Sequence, residues 1–381
     1  MLTRFITLLL FCFLISCGTK TSSPSGNYKD AFTKDTIEYA HGFSINRFGR
    51  FTLLKVHNPW EGAKGIEYKY LLCPAGEKIP DSLKNIPIIH TPVKRIICLS
   101  TTHIALLSFI NEVTSIVGVS GPNYISDSLT RLKIKEGKIS DIGFDQALNY
   151  ENIVSIKPDM VLAYGIQGET ASQYKKLENL GIKVVLNAEY LEETALGKFE
   201  WVKFVAAFFN KTELATKKFN DIAKEYKKYA ALCSTIKDKP QILSGIPWKG
   251  VWYVPGGSSY GANLINDAGG NYLWSDSKQR ESLPLNFEKV IEKAGNATIW
   301  INTDNTNSKK DILAEDPRLG KIQPFILNNI YNNNARMNSS GGNDFWESGV
   351  THPDILLKDM IKIFHPELLP QYSLVYYKKL D

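Results

Sequence analysis

Asn149-Tyr150-Glu151-Asn152-Ile153-Val154-Ser155-Ile156-Lys157-Pro158-Asp159-Met160-Val161-Leu162-Ala163 decides the fold class of this chain. Asn149 is a good helix cap, and Glu151 in the first turn meets the positive end of the helix. The helix runs from Tyr150 to Ile156 and stops before Pro158. Met160 to Ala163 is then an uninterrupted apolar run, the pattern of a strand covered on both faces.

The same alternation extends in both directions. Upstream, Arg95 to Leu99 reads as a strand, Thr102 to Ile110 as a helix opened by Ser and Thr caps, and Ile116 to Val119 as a second strand. Downstream come a helix from Thr170 to Leu180, Gly181 as its left-handed stop, and a strand from Lys183 to Leu186. After Pro240 the pattern resumes with strand Gln241 to Ser244, helices Ala262 to Ala268 and Phe287 to Ala294, strand Thr298 to Asn302, and a closing helix from Pro353 to Phe364. Strands alternating with helices through short loops imply an α/β fold with parallel sheets. Leu191 to Ile236 carries no strand signal. There Trp201, Phe204, Val205, Phe208 and Phe209 form an apolar stripe, and Asn210 with Glu213 reads as a cap that restarts a helix of roughly 39 Å, long enough to bridge two lobes.

The opening motif has an echo. Asn286-Phe287-Glu288 starts a helix that leads into Thr298-Ile299-Trp300-Ile301, as Asn149-Tyr150-Glu151 leads into Met160 to Ala163. Two similar lobes each present one carboxylate at a helix start, where either also serves by meeting the helix dipole.

The front of the chain differs from both lobes. Arg4 precedes an apolar run from Phe5 to Ile15 that is too short to span a bilayer, so it reads as an export signal over residues 1–16. Leu14-Ile15-Ser16-Cys17 resembles the lipobox of bacterial lipoproteins, which implies cleavage before Cys17 and lipidation of that cysteine. Residues 17–28 are a flexible tether reaching on the order of 17 Å. Residues 29–92 form a β-rich extension, with strand patterns at Phe43-Ser44-Ile45, Phe51 to Val56 and Tyr68 to Leu72. A meander without helices of its own must pack on another part of the molecule. The remaining divisions are an N-terminal α/β lobe at 93–190, connecting helices at 191–238 and a C-terminal α/β lobe at 239–381.

Of 381 residues, 43% are hydrophobic, enough for two or three packed domains. The net charge of +6 is scattered, and no basic stripe with interleaved aromatics points to nucleic acid. Cys73, Cys98 and Cys233 follow the signal and Cys17. Being odd in number, they leave at least one free thiol in an exported chain.

Several residues compete for a functional role. Gly257-Ser258-Ser259-Tyr260-Gly261 fits the G-x-S-x-G pattern of a serine hydrolase, with Asp304 or Asp354 and then His365 in the required order. A Gly-rich turn whose Ser258 or Ser259 caps the next helix explains the same residues. The six histidines include no HExxH and no close pair, so no metal site is expected. His352 and His365 precede prolines and mark helix boundaries. Thr102 and His103 lie in the first turn after a strand's carboxyl end, which in an open α/β sheet faces the ligand crevice. Tyr124, Tyr164, Trp248, Trp252, Tyr253, Phe345 and Trp346 fall in loops after strands, as expected of a cleft with flat apolar walls, and Lys249 and Arg336 would supply positive charge there.

Together, Arg95 to Ser100, Asn149 to Asp159, Trp252 to Gly257, Asn266-Asp267-Ala268-Gly269-Gly270 and His365-Pro366-Glu367-Leu368 resemble the class III periplasmic substrate-binding proteins of ABC importers, which carry ferric siderophores, haem or cobalamin. The resemblance spans residues 93 to 370. It implies two Rossmann-like lobes joined by a long rigid helix, a ligand held between them, and one exposed carboxylate per lobe that docks on a permease dimer, here Glu151 and Glu288. It further implies a non-enzymatic periplasmic receptor, anchored to a membrane through Cys17, whose ligand is a ferric chelate or corrinoid. A ferric siderophore is the first expectation, with cobalamin or haem next. A secreted hydrolase using Ser259, and an adhesive or scaffolding lipoprotein using the extension, stand as other classes. Two features depart from the family pattern: Thr101 follows Ser100 where proline is usual, and Ala105 occupies the usual glutamate position.

Overall fold

The computed structural model describes residues 33–144, 147–165 and 169–381. Cys17, the signal segment and the tether lie outside the described residues. The first sheet contains β1 (Thr33–Lys34), β2 (Phe43–Phe48), β3 (Phe51–His57), β4 (Glu67–Pro74) and β5 (Ile88–Thr91), in that spatial order. It is antiparallel except for the parallel β4–β5 pair.

Next come β6 (Ile96–Cys98), α1 (Thr101–Phe109), β7 (Ile116–Val119), α2 (Ser128–Lys135), β8 (Ser140–Asp141), α3 (Tyr150–Ile156), β9 (Met160–Tyr164), α4 (Glu169–Asn179) and β10 (Val184–Asn187). Their strands make a parallel sheet in the order β10-β9-β6-β7-β8. The order reverses direction at β6, and loops at such a switch point open a crevice beyond the strands' carboxyl ends. Ser100 caps α1 by accepting the Thr102 N–H at 3.2 Å, and Asn149 caps α3 by accepting the Asn152 N–H at 2.9 Å.

The connection consists of α5 (Ala195–Ala207) and α6 (Thr212–Ser234). Apart from Lys198, every residue of α5 is buried, as befits a helix that is apolar almost all round. At 23 residues, α6 is about 34 Å long, shorter than the sequence suggested. Asn210 does not cap it. Its φ of 58° makes it part of the left-handed turn that ends α5, and α6 starts without a side-chain cap. The bridging role is visible in its bonds: Lys211 and Lys218 donate to the Ile110 and Phe109 carbonyls of the first lobe, while the Tyr226 hydroxyl donates to Asp267 of the second at 2.6 Å.

The second lobe holds β11 (Gln241–Ser244), β12 (Pro247–Trp248), β13 (Val251–Val254), α7 (Tyr260–Asp267), β14 (Asn271–Tyr272), β15 (Leu283–Asn286), α8 (Phe287–Ala294), β16 (Ile299–Ile301), α9 (Lys309–Glu315), α10 (Gln323–Ile326), β17 (Ile330–Asn332), α11 (Pro353–Phe364) and β18 (Lys378–Lys379). Its main sheet runs β14-β11-β16-β17-β18 and is parallel except at the β18 edge. A small antiparallel sheet, β12-β13-β15, was not anticipated from sequence. Asn286 caps α8 by accepting the Lys289 N–H at 2.9 Å, the same geometry as Asn149 in the first lobe.

The N-terminal sheet packs on α5. Phe43 meets Trp201 and Phe204 at ring separations of 4.8 and 5.5 Å, contacts worth about 0.5–1.5 kcal/mol each beyond simple burial. Buried Glu200 accepts the N–H groups of Glu38, Tyr39 and Ala40 and pairs with Lys203 at 2.6 Å. Glu192 accepts those of His41 and Gly42 and the Trp201 indole N–H. Five backbone donors of the segment entering β2 thus end on two carboxylates outside that sheet, which fixes it as part of the body.

Candidate ligand-binding cleft

An open cleft of about 500 Å³ lies where the N-terminal sheet, the segment following β10 and the second lobe meet. Phe345 and Trp346 supply an aromatic wall. Trp346 is 52% exposed, and Phe345 is held edge-on by Trp346, Tyr376 and Tyr377 at ring separations of 4.6, 6.2 and 5.7 Å. Tyr260, Ser259 and Pro255 come from the start of α7, and Asn302 from the carboxyl end of β16. Tyr190 and Glu193 bound the opposite side, where Arg280 pairs with Glu193 at 2.9 Å and donates to the Leu191 carbonyl.

A second, shallower hollow of about 310 Å³ sits at the carboxyl ends of β6, β7 and β9, lined by Ser100, Thr101, Tyr124, Phe144 and Tyr164. Beside it, Thr102 shares a 2.9 Å hydrogen bond with Ser100 and lies against Glu189. Burial pushes the Glu189 carboxyl up, opposed by Lys198 and the Thr102 hydroxyl, and burial pulls the Lys198 ammonium down, opposed by Glu189. Lys198 rests 5.0 Å from the Tyr260 ring centre.

The lobes also touch directly. Glu347 reaches across from the second lobe and accepts the Ser126 and Asp127 N–H groups at 2.7 and 2.6 Å. Asn338 donates to the Asn123 carbonyl, and a Cβ on Gly342 would collide with the Tyr124 carbonyl oxygen. Burial, together with Asp344 and Asp127, raises Glu347 to about 7 against the pull of its two backbone donors.

The expected ligand residues therefore separate. Phe345 and Trp346 line the larger cleft, and Tyr124 and Tyr164 the smaller hollow. His103 does not face a cleft: it is 0% exposed, neither ring nitrogen has a well-placed partner, and burial depresses it to about 3, so it is a neutral core imidazole. Trp252 is likewise core, 0% exposed, lying 5.8 Å from Trp300 and donating to the Ser244 carbonyl. Strand alternation explains it, because β13 turns Trp252 inward and Tyr253 outward. Trp248 is exposed on the β12–β13 hairpin, with Lys249 in its left-handed turn 4.5 Å from the Trp248 ring centre; neither lines these two hollows. Arg336 is committed to Asp344 at 2.6 Å.

Ser259 is the cap of α7, accepting the Ala262 N–H at 3.3 Å. The triad suggested by sequence order does not assemble. His365 bonds the Gly269 carbonyl, and Asp354 pairs with Lys358. Cys73, Cys98 and Cys233 are all free and buried, and no group of metal-ligating residues occurs among the described residues. Glu151 and Glu288 both stand exposed in the first turns of their helices, Glu288 with Arg318 at 3.5 Å. Sequence reasoning missed His41, His57, Trp60 and Glu61, cleft-lining residues of the N-terminal sheet. The signal was present, since Pro59-Trp60-Glu61-Gly62-Ala63-Lys64-Gly65 is another aromatic in a Gly-rich loop.

Two parallel-sheet lobes, a bridging helix and an aromatic cleft between them define a solute-binding protein. Residues 96–332 match the periplasmic binding protein family, and the chain belongs to it. Periplasmic haem-binding and vitamin B12-binding proteins share its fold. An uncharacterized lipoprotein of Methanocaldococcus jannaschii is 28% identical over 339 residues, covering 81% of this chain and 77% of its own. A vitamin B12-binding protein of Salmonella typhi is 27% identical over 226 residues, covering 56% of this chain and 77% of its own. A crystal structure of a periplasmic binding protein from Veillonella parvula matches with a TM-score of 0.57 at 13% identity, covering 88% of this chain and 98% of its own. That coverage is more than residues 93–381 alone could supply, so the likeness of fold reaches into the N-terminal sheet.

Proposed function

We propose that this chain captures a corrinoid-type metal chelate in the aromatic cleft and delivers it to the permease of an ABC importer, held near the membrane by lipid on Cys17. The observation that carries the reading is the cleft itself: a hollow of about 500 Å³ between two lobes of this family, walled by Phe345 and Trp346. Its charge favours a neutral or cationic chelate over an anionic ferric siderophore. Arg336 is paired with Asp344 and Arg280 with Glu193, so neither cation is spare to balance a negative iron complex, and Glu281 lies at the rim. The vitamin B12-binding relative supports the same choice. A ferric siderophore is the second reading, for which Trp248 and Lys249, exposed on the β12–β13 hairpin of the second lobe, would offer an aromatic face and a cation outside the cleft.

Glu151 and Glu288 are the docking carboxylates in this reading, and the lipoprotein relative supports display outside the cytoplasmic membrane. In cells that depend on this chain, Glu151→Ala with Glu288→Ala should cut uptake of labelled cyanocobalamin by tenfold or more. Solution affinity should stay at the wild-type value. Unchanged uptake contradicts the docking assignment.

A further inference from the structure

The family match begins at residue 96, yet the N-terminal sheet reaches the cleft. We propose that the loop between β3 and β4 is a third wall of the ligand site, in which Trp60 stacks on the bound chelate. This rests on the reading of the cleft as a chelate site and extends it to residues outside the matched region.

The loop is a built feature. The Asn58 N–H donates to the Ile66 carbonyl at 2.8 Å, the Ile66 N–H donates back to the Asn58 side-chain oxygen at 3.2 Å, and the Ala63 N–H donates to the Trp60 carbonyl at 3.1 Å. The tip is therefore closed by its own bonds. It is also seated against the first lobe. The Pro59 carbonyl packs so closely on Gly165 that a Cβ there would collide with it, and the Tyr190 hydroxyl donates to the Gly165 carbonyl. Trp60 stands edge-on to Tyr68 at 6.2 Å. At the foot of the sheet, Glu192 holds the His41 and Gly42 N–H groups, so β2 and β3 cannot swing away without leaving a buried carboxylate unpaired.

The loop lines the same hollow as Phe345 and Trp346, with Trp60 also packed on the first lobe's core, so a ligand resting on those rings would meet this loop as well. Aromatic faces are worth most to a flat, partly apolar ligand, and preorganised ones lose little entropy on binding.

The test measures binding of cyanocobalamin, haemin and a ferric tris-catecholate to the purified full chain by calorimetry. Trp60→Ala should weaken the chelate bound by wild type about tenfold. Trp60→Leu keeps an apolar contact with Tyr68 and should show a similar loss with an unchanged Tm, which separates lost stacking from misfolding. Lys64→Ala, outside the cleft lining, should change nothing. Wild-type affinity in folded Trp60→Leu overturns the third wall while leaving the chelate reading intact. Failure of wild type to bind any of the three overturns the chelate reading itself.

Discussion

Glu192 and Glu200 are buried and satisfy the donors of another sheet, whereas Glu151 and Glu288 stand in solvent at two helix starts. The four share a chemistry and differ in where their lone pairs go. A carboxylate whose acceptors are consumed by backbone N–H groups is part of the fold. One held at the surface, as Glu151 is and as Glu288 is beside the exposed Arg318, is available to a second molecule.

The sharpest way to break that contrast is Glu200→Ala. It strands Lys203 in the interior and leaves three backbone donors without their acceptor, so unfolding by denaturant should show a loss of about 3–5 kcal/mol. A loss under about 1 kcal/mol would mean that the N-terminal sheet is loosely attached.

Glu347 sharpens the comparison from between the extremes, being buried yet raised to about 7. Below the ordinary carboxylate value of 4.5 it is protonated both folded and unfolded, and it adds no slope. Between 4.5 and 7 the unfolded chain gives up a proton that the folded chain keeps, so stability falls as pH rises, levelling above 7. The contribution amounts to about 3 kcal/mol at most. Denaturation of Glu347→Gln across that window should lack this slope; an identical slope in both proteins removes Glu347 as its source.

The smallest stability effect belongs to Glu151→Ala with Glu288→Ala. Both lie at exposed helix starts, where substitution should shift stability by about 0.5–1 kcal/mol or less. A larger loss in denaturation would return them to a structural role.

Much of the fold was legible because it is written in local patterns. β7, β11, α3, α8 and α11 fall on the residues that periodicity and capping select. The small sheet β12-β13-β15 was hidden because Trp248 and Tyr253 face solvent beside Gly-rich turns, so the segment resembles a loop. Asn210 misled because a left-handed stop and a helix cap favour the same residue. Of the site, loop aromatics identified Phe345 and Trp346, but burial reverses the reading of His103 and Trp252, and burial is set by tertiary packing. Trp60 went unread because the contacts that bring it to the cleft are distant in sequence: Pro59 on Gly165, and the β2 entry on Glu192 and Glu200.

Native mass spectrometry with visible absorbance of the chain purified from its host tests most directly whether the cleft between the lobes holds a metal chelate. One corrinoid per chain, with its mass and colour, or stoichiometric uptake of cyanocobalamin by the empty protein, is the expected result. A protein whose mass is unchanged by cyanocobalamin, haemin and ferric chelates alike would contradict it.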